Sequence, residues 1–405
     1  MNLVDGNLYF KKISKNNKQY SYLNENINCD VLIIGAGVSG AITAYYMAEE
    51  GYNVVIVDKN IVGYGSTSAN VGILDVSLGM ETNKLSKIIG EKKTKKCFEL
   101  MLDSIDEIEK ITSKLSNKNN IGFKKTNSIY YTDKYMNKNS IVKEYNSRIN
   151  LGIGSKFLNE NNILDLRYGL QIENGSAVMN VYEFTKEIIS YISKKDNVKV
   201  YEHTEINDIK SKDEYVIATT SNNFKIKANK AIITEGAEVV KYFPDIPIEL
   251  YKTYNIVTES IDSLKNYDIN FTARDMETPF NYIRFTDDNR IVFGGQISKV
   301  TEKELLNTAI SKGLSNNRYK KLFKTMQENF SGLKDITIRY CFNSVFAETK
   351  DTLPLIDELP GMSNVYCNLS YGINGILFSV IGAKMLKEIN REYYARDMHM
   401  FGLKR

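Results

Sequence analysis

Three glycines at fixed offsets, followed by an acidic residue, are the part of the chain most clearly suited to chemistry. The stretch IIGAGVSG contains Gly35, Gly37 and Gly40, and it lies between an apolar run and a helical pattern. In such a turn the first glycine allows a tight bend, the second lets the backbone approach a pyrophosphate, and the third permits close helix packing. Asp58 ends the next apolar run and could accept hydrogen bonds from ribose hydroxyls. This order of features predicts a dinucleotide site rather than a chance glycine-rich turn.

The elements that must position these residues form a βαβ unit. Residues 31–34 and 54–57 are unbroken apolar runs, which are typical of parallel strands buried on both faces. A helical pattern joins the two runs after the glycine turn, and Gly51 ends it. The unpaired amides at the start of such a helix favour phosphate groups.

The remaining pattern predicts a mixed α/β protein. Helical periodicity is present at about 81–118, 134–149, 182–193 and 301–330, and a last helix follows the turn SYGING. A turn is predicted at ENGSA, before the third of these helices. Short strand patterns, among them FKIKA and AIITEG, fill much of the rest, and the turn DDNR predicts a hairpin.

The composition excludes several classes of protein. The 405 residues carry a net charge of +4, and the cluster KKTKK fits a solvated helix face better than a nucleic-acid surface. With two histidines, His203 and His399, a histidine triad or a multi-histidine metal site has little material. The four cysteines form no CxxC pair, and no stretch resembles a signal peptide or a membrane span. We therefore expect a cytoplasmic protein with no metal, no nucleic-acid partner and no membrane span.

The glycine turn alone leaves NAD and FAD as alternatives. Directly beyond the βαβ unit, IVGYGSTSANVGIL replaces the regular continuation expected in a nicotinamide domain. Its small and polar residues could place amides and hydroxyls near phosphate or ribityl oxygens. An ordinary polar loop is the alternative interpretation. The residues in question are Gly65, Ser66, Thr67, Ser68 and Asn70.

Four stretches together resemble the FAD-dependent amine oxidoreductases that include D-amino-acid, glycine and sarcosine oxidases. They are VLIIGAGVSG with Asp58, GSTSANVG, AIITEGA and YGINGILFSVIGAKML, and they follow the family's order over nearly the whole chain. The resemblance implies noncovalent FAD in a Rossmann-like FAD-binding domain, with an interleaved antiparallel-sheet substrate domain. It predicts that the FAD-binding domain comprises residues 1–80, 160–242 and 336–405, and that the substrate domain comprises 81–159 and 243–335.

The resemblance also implies a set of cofactor contacts. The TEGA-like turn would approach the adenosine and pyrophosphate, and Ile206 would meet adenine through its backbone. The C-terminal stretch would lie beside the flavin ring, where the start of the following helix would stabilise the anionic reduced flavin. A surface turn and an amphipathic core helix are the alternative for that stretch. The predicted cofactor-binding residues are Gly35, Gly37, Val38, Ser39, Gly40, Asp58, Lys59, Gly65, Ser66, Thr67, Ser68, Asn70, Ile206, Thr234, Gly236, Ala237, Gly372, Ile373, Asn374, Gly375 and Ile376.

The implied reaction is oxidation of a C–N bond in an amine or an N-substituted amino acid. Hydride would leave the carbon next to nitrogen for flavin N5, and water would hydrolyse the imine. An amine that binds neutral needs no protein base, and a chain with two histidines is compatible with that route. Two other interpretations stay open, a 2-hydroxy-acid dehydrogenase in the same fold and a non-catalytic FAD-binding scaffold or assembly factor.

The substrate site departs from the family pattern. Amino-acid oxidases of the family commonly hold the substrate carboxylate with an arginine before a TxDxxP turn. The turn is present in ETKDTLP, but Phe346 occupies the arginine position. Arg284 is the leading substitute, because its spacing from Tyr282 puts both side chains on one strand face. An exposed hairpin pair is the alternative, and Arg274 and Arg339 are weaker candidates. The predicted catalytic residues are Arg284, Tyr282, Phe346 and Asn374.

Two further departures concern covalent flavin and oxygen. Leu377 occupies the position of a lysine that the sarcosine-oxidase branch uses in oxygen activation, and Ser344 occupies the position of its flavin-linked cysteine. We therefore expect noncovalent FAD and inefficient use of oxygen. The identity of the substrate, the electron acceptor and the oligomeric state stay open.

Overall fold

The structure, a computed structural model, describes residues 3–77, 79–241, 243–300, 308–333, 335–369, 372–388 and 398–405. The strands of these residues are β1 (Val4–Gly6), β2 (Ile27–Ile34), β3 (Val54–Val57), β4 (Ile73–Asp75), β5 (Lys124–Thr132), β6 (Lys156–Leu158), β7 (Tyr168–Val178), β8 (Val198–Tyr201), β9 (Ile206–Ser211), β10 (Val216–Thr220), β11 (Lys225–Ile233), β12 (Glu249–Thr258), β13 (Phe271–Asp275), β14 (Tyr282–Phe285), β15 (Ile291–Lys299), β16 (Ile338–Glu348), β17 (Leu355–Glu358) and β18 (Val365–Leu369). The α-helices are α1 (Tyr9–Ile13), α2 (Val38–Glu49), α3 (Thr82–Ile89), α4 (Glu91–Lys114), α5 (Lys118–Ile121), α6 (Lys138–Asn150), α7 (Val181–Ile192), α8 (Thr308–Asn329) and α9 (Gly375–Leu386).

The smaller of two sheets contains the predicted βαβ unit. Its strand order is β17-β18-β11-β2-β3-β8, and the pairs from β18 to β8 are parallel. Strands β9 and β10 extend β11 by antiparallel pairing. All four residues of β3 are buried, as are the last four of β2. The two unbroken apolar runs therefore form central parallel strands, as the sequence predicts.

The larger sheet is mainly antiparallel. Its order is β1-β16-β12-β15-β14-β13-β5-β7-β4, with β6 paired to β7. The predicted hairpin is formed by β14 and β15, and β13 pairs in parallel with β5. A largely parallel sheet covered by helices, beside this mainly antiparallel sheet, is a mixed α/β architecture, which confirms the predicted fold class.

Helices cover the smaller sheet and position the end of β2. Helix α2 is buried over most of its length because it packs between α7 and α9. The apolar face of α4 adds Phe98, Ile105 and Ile108 to the same core, whereas Leu102 on that predicted face is 38% exposed. Burying each such side chain contributes about 1.5–3 kcal/mol, so this packing holds the start of α2 at the edge of the sheet.

Three local predictions are wrong in detail. The helical run at 81–118 is divided into α3 and α4 at Gly90, whose φ of +87° interrupts the helix. ENGSA lies inside β7, where Asn174 has a φ of +50° and the pairing with β5 shifts register. FKIKA and AIITEG fall on one strand, because β11 continues its pairing with β2 between them. The first seven residues of the helix predicted at 301–330, and Ser370 and Tyr371 of the predicted turn SYGING, lie outside the described residues.

The predicted division into two domains stays a prediction. Segments predicted for the FAD-binding domain supply strands to both sheets: β2 and β18 to the smaller sheet, and β7 and β16 to the larger one.

Candidate functional site

A cavity of about 520 Å³ lies where both sheets contribute residues. Small-molecule sites commonly have volumes of roughly 300–1,000 Å³. The lining brings together most of the predicted cofactor-binding residues. They are Gly35, Gly37, Val38, Ser39, Asp58, Lys59, Gly65, Ser66, Thr67, Asn70, Thr234, Gly236, Ala237, Gly372, Ile373, Asn374, Gly375 and Ile376. Their individual contacts with FAD stay predictions.

The glycine turn has the geometry that a dinucleotide requires. Gly35 has a φ of +104°, and a Cβ on Gly40 would lie 1.8 Å from the Gly35 carbonyl oxygen. Gly40 therefore lies behind the lining, where it lets α2 begin directly against the turn. Thr234 Oγ1 donates to the carbonyl oxygens of Ile34 and Gly35, at 2.9 and 2.8 Å, and so connects the TEGA turn to the glycine turn.

The start of α2 lines the cavity without a side-chain cap. Gly37 is the N-cap residue and makes no side-chain hydrogen bond, while Val38 N donates to Thr67 Oγ1 at 3.1 Å. A Cβ on Gly37 would lie 3.1 Å from the same oxygen, so a side chain here would fill the cradle. An uncapped helix start with a glycine cradle fits a pyrophosphate, which is the central part of FAD.

Asp58 lines the cavity, and its predicted contact with the adenosine ribose stays a prediction. Its Oδ2 accepts a hydrogen bond from Ala36 N and its Oδ1 from Asn60 N, both at 2.8 Å. Burial raises the pKa of Asp58 to about 6, against the opposing effect of these two amides. Beside it, Lys59 forms an ion pair with Glu238 at 2.5 Å. Each oxygen of Asp58 keeps a further lone pair for a ribose hydroxyl.

The segment after β3 is an ordered part of the cavity wall. Ser66 Oγ donates to Val345 O at 2.8 Å, and Asn70 Oδ1 accepts from Gly72 N at 2.7 Å. Ser68 Oγ donates to Gly65 O, and Ser68 is not one of the lining residues, so its predicted cofactor contact stays a prediction. Ile206 is also outside the lining, at the start of β9, and its predicted contact with adenine stays a prediction.

The C-terminal glycine stretch lines the cavity and leads into α9. Asn374 is the N-cap residue of α9, and its Nδ2 donates to the carbonyl oxygens of Asp75 and Ser77 at 2.5 and 3.1 Å. These bonds connect the helix start to the end of β4. The first residues of α9 line the cavity, so the positive end of the helix dipole faces it.

Arg284 is not in the cavity, which corrects the leading prediction for a substrate cation. Its Nη1 donates to the carbonyl oxygens of Val71, Gly72 and Met179 at 2.7, 2.9 and 2.9 Å. Burial lowers the pKa of Arg284 to about 10. Arg284 is 5% exposed, so the alternative of an exposed hairpin pair is also wrong. Tyr282 lines the cavity, but the Arg284 guanidinium is held by the backbone of Val71 and Gly72 and does not line it.

Arg274, a weaker candidate in the sequence, does line the cavity. Its guanidinium carbon lies 4.0 Å from the centre of the Phe280 ring, and its Nη2 donates to Gly79 O at 3.1 Å. Burial lowers the pKa of Arg274, whereas the charge of Asp75 acts in the opposite direction. Arg274 lies on β13, which the sequence patterns did not predict as a strand. The exposed Arg339 instead forms an ion pair with Glu259.

Phe346 lines the cavity and stacks on Tyr251, with ring centres 6.0 Å apart. The arginine position of the family is therefore part of an apolar wall in this chain. Ser344 also lines the cavity and pairs with Val4 of β1. Leu3, Val4, Thr253, Asn255 and Phe280 line the cavity without having been predicted, because long-range pairing brings them there and no local motif marks them.

Within the described ranges, no group of three or more His, Cys, Asp or Glu side chains could hold a metal ion. Among the described helices, none combines the length and hydrophobicity that a membrane crossing requires.

Known proteins resemble this chain over most of its length. Gamma-glutamylputrescine oxidoreductase of Escherichia coli (strain K12) is 21% identical over 423 residues, covering 95% of this chain and 88% of that protein. Glycine oxidase from Bacillus cereus has a TM-score of 0.73 at 18% identity, covering 93% and 99% of the two chains. L-amino acid deaminase from Proteus vulgaris has a TM-score of 0.74 at 14% identity, covering 97% and 100%. The two structural likenesses show a shared fold.

The family is shown by a match over most of the chain. Residues 30–389 match the DAO family, described as FAD dependent oxidoreductase, and this range contains the glycine turn, the TEGA turn and the start of α9. The chain therefore belongs to the DAO family of FAD-dependent oxidoreductases, and FAD is its cofactor.

Proposed function

We propose that the protein oxidises a C–N bond of an amino acid or N-substituted amino acid, and that Arg274 holds the substrate carboxylate. The observation that carries this proposal is the position of Arg274. Among the described residues that line the cavity, the cations are Lys59 and Arg274. Lys59 lies beside Asp58 and is paired with Glu238, whereas Arg274 lies near Asp75 and Ser77, which Asn374 of α9 contacts.

A planar guanidinium is well suited to a carboxylate, since its N–H donors match the two oxygens in a bidentate pair. The Phe280 ring lies against the Arg274 guanidinium and restricts its orientation. Phe346, Ala273 and Ile297 are apolar residues of the same cavity lining. Such walls exclude water and strengthen the ion pair between enzyme and substrate.

FAD, when it is bound, supplies the acceptor for the hydride that leaves the carbon next to nitrogen. The chain's own contribution is then to bind and orient an amine that is already neutral. Neither histidine lines the cavity, and burial raises the pKa of Tyr282. Asp75 accepts hydrogen bonds from Ser77 N, Ser128 Oγ and Thr272 Oγ1, so it serves as an anchor for the wall. These features favour positioning over base catalysis.

The names of the similar proteins support an amino compound as substrate. The three proteins are named for gamma-glutamylputrescine, glycine and L-amino acids. Each of these compounds has an amine nitrogen on a carbon that carries a hydrogen, which can leave as hydride. A 2-hydroxy acid and a non-catalytic scaffold stay alternatives, which the same experiment separates.

The test is anaerobic mixing of the FAD-loaded protein with a panel of amines, amino acids and 2-hydroxy acids, following loss of the long-wavelength flavin band. We expect amino acids to bleach the flavin. Replacement of Arg274 by Met should lower the apparent second-order rate for carboxylate-bearing amines about 100-fold or more, since one partner of a buried charge pair is lost. Amines without a carboxylate should be affected far less.

The matched control is Arg339→Met, because the Arg339 side chain is 57% exposed and remote from the lining. It should react like the unmodified protein. Bleaching by 2-hydroxy acids but not by amines would favour the dehydrogenase, and an unbleached yellow protein with the whole panel would favour the scaffold.

A further inference from the structure

One row of residues crosses the larger sheet on the face that lines the cavity. Asn255 of β12 pairs with Gly294 of β15, Gly294 pairs with Tyr282 of β14, and Tyr282 pairs with Arg274 of β13. Residues directly opposite each other on neighbouring strands point to the same face of a sheet. Asn255, Tyr282 and Arg274 all line the cavity, as this register requires. The row therefore places an amide, a phenol and a guanidinium along one wall.

Gly294 is the gap in this row that lets its neighbours meet. A Cβ on Gly294 would lie 2.2 Å from Tyr282 Cε2 and 2.4 Å from Asn255 Oδ1. Both distances are far below a van der Waals contact, so a side chain here would displace the ring or the amide. Because the residue is glycine, the Tyr282 ring lies across β15 and reaches Asn255.

A chain of hydrogen bonds sets the direction in which the Asn255 amide points. Tyr282 donates its phenolic proton to Asn255 Oδ1 at 2.7 Å. The hydroxyl of Thr253 lies 2.7 Å from the Tyr282 oxygen, and it must donate there because the phenol has one proton. The order of donation is therefore from Thr253 to Tyr282 and from Tyr282 to Asn255. Asn255 Nδ2 is left as the donor at the end of the chain.

The amide nitrogen of Asn255 lacks a hydrogen-bond acceptor within the described part of the protein. Asn255 is 1% exposed. A buried N–H donor without an acceptor is costly, and nearly all such groups in proteins have a partner. Since Asn255 lines the cavity, the partner can be an oxygen of a bound molecule.

We propose that Asn255 is a specificity-determining residue, whose Nδ2 donates to an oxygen acceptor that the substrate carries in addition to its carboxylate. The substrate class is an amino acid or N-substituted amino acid with a carbonyl or carboxamide oxygen remote from the carboxylate. This inference rests on the proposed function for the carboxylate, which Arg274 receives from the same row. Tyr282 and Thr253 act as positioning residues, since they hold the Asn255 amide in its orientation.

The test uses binding to the FAD-loaded protein, which does not depend on turnover. Three oxo acids (4-oxopentanoate, 5-oxohexanoate and 6-oxoheptanoate) are each compared with the methyl-branched acid of the same shape: 4-methylpentanoate, 5-methylhexanoate and 6-methylheptanoate. Titration of the perturbed flavin absorbance yields a dissociation constant for each acid. We expect at least one oxo acid to bind about tenfold more tightly than its branched partner. The branched acid has no oxygen there and leaves the buried Asn255 N–H unpaired.

Asn255→Asp should abolish this preference, because it keeps an oxygen for the Tyr282 proton but replaces the Nδ2 donor. Asn255→Leu is the second variant and should have the same effect if the aspartate disturbs the site. The matched control is Asn343→Asp. Asn343 is as buried as Asn255, but it is next to the cavity-lining Ser344 on β16 and therefore points to the opposite face. The control should keep the preference.

Equal affinities within all three pairs, no perturbation by any of the six acids, or a preference that survives in both Asn255 variants would overturn the inference. The amine panel has its own outcome. Bleaching by amino acids without any oxo-acid preference refutes the role of Asn255 and leaves the proposed reaction in place. An oxo-acid preference that Asn255→Asp abolishes, in a protein that no amine bleaches, refutes the reaction and leaves the role of Asn255 in place.

Discussion

Two arginines on neighbouring strands, Arg274 and Arg284, have different surroundings although both belong to the same sheet. The Arg274 guanidinium packs on Phe280, and both residues line the cavity. The Arg284 guanidinium is buried against three backbone carbonyls of the segment that follows β3 and of the end of β7. Its position implies a role in holding the cavity wall at Val71 and Gly72 rather than in binding substrate.

Replacement of Arg284 by Met should destabilise the protein and should leave substrate preference unchanged. Three backbone carbonyl oxygens, two of them in buried hydrogen bonds, lose their shared donor, which costs roughly 3 kcal/mol of the free energy of unfolding. Urea unfolding of the FAD-loaded protein measures this loss, with Arg339→Met as the exposed control. A variant of normal stability that loses its preference for carboxylate-bearing amines would restore Arg284 as a substrate ligand.

Glu348 predicts a pH dependence of stability. Burial raises its pKa to about 7, partly offset by Arg274 and reinforced by Glu249. The folded-state pKa lies above the usual value, so the folded protein binds more protons than the unfolded chain between these two values. Stability should therefore fall as pH rises from about 4.5 to about 7.

The Glu348→Gln variant should lose part of this fall, because it has no proton to release. The measurement is the melting temperature of the FAD-loaded variant and parent at several pH values across that range. Glu328→Gln serves as the control, because the Glu328 side chain is 62% exposed. Parallel curves for Glu348→Gln and the parent would show that Glu348 does not titrate in this range.

At the scale of elements, the start of α2 depends on a close approach between two backbone segments. Gly40 lies in the first turn of α2 and contacts Gly35 at the end of β2. Helix α2 is held on the other side by α7 and α9, so it cannot move away without opening the core. A side chain at position 40 must therefore displace the turn that lines the cavity.

We expect Gly40→Ala to reduce FAD binding at least tenfold, since its Cβ would lie 1.8 Å from a backbone oxygen and 2.8 Å from Thr234 Oγ1. Bound flavin is measured by absorbance after gel filtration. Gly154→Ala is the matched control, because Gly154 is exposed and a Cβ there would have no neighbour within 4 Å. Normal FAD content in Gly40→Ala would contradict the assignment of this turn to the cofactor.

At the scale of the whole molecule, the N-terminal strand closes a wall of the cavity. Strand β1 pairs with β16 at the edge of the larger sheet, where Val4 lies opposite Ser344. Val345 N donates to Leu3 O at 2.8 Å, and Leu3 and Val4 both line the cavity. The site therefore joins the first residues of the described chain to segments more than 300 positions later.

Deletion of residues 2–7 should weaken FAD binding by about tenfold or more, because it removes the apolar contacts of Leu3 and Val4 from the wall. The melting temperature should fall in the same variant, and added FAD should recover part of the loss through mass action. The control is Ile13→Ala, since Ile13 is 40% exposed in the same N-terminal region. Unchanged FAD affinity in the deletion variant would exclude a role for β1 in the site.

The sequence by itself determined the βαβ unit, the glycine turn and the mixed α/β class. These features depend on contacts within a few residues, such as apolar runs, a glycine offset and a helix start, so they can be recognised without a partner strand. The stretches at 65–70, 234–237 and 372–376 were also recognised, because each is a short turn with its own composition.

The tertiary structure alone decided which arginine lines the cavity, that Asn255 faces it, and that β1 closes it. The reason is register: a side chain's face follows from parity within a strand, but its neighbours follow from pairing with distant strands. Arg274 lies opposite Tyr282, and Asn255 lies opposite Gly294, through pairings that no local pattern encodes. The sequence shows that residue 294 is glycine. Only the structure shows why, because Tyr282 and Asn255 meet across Gly294.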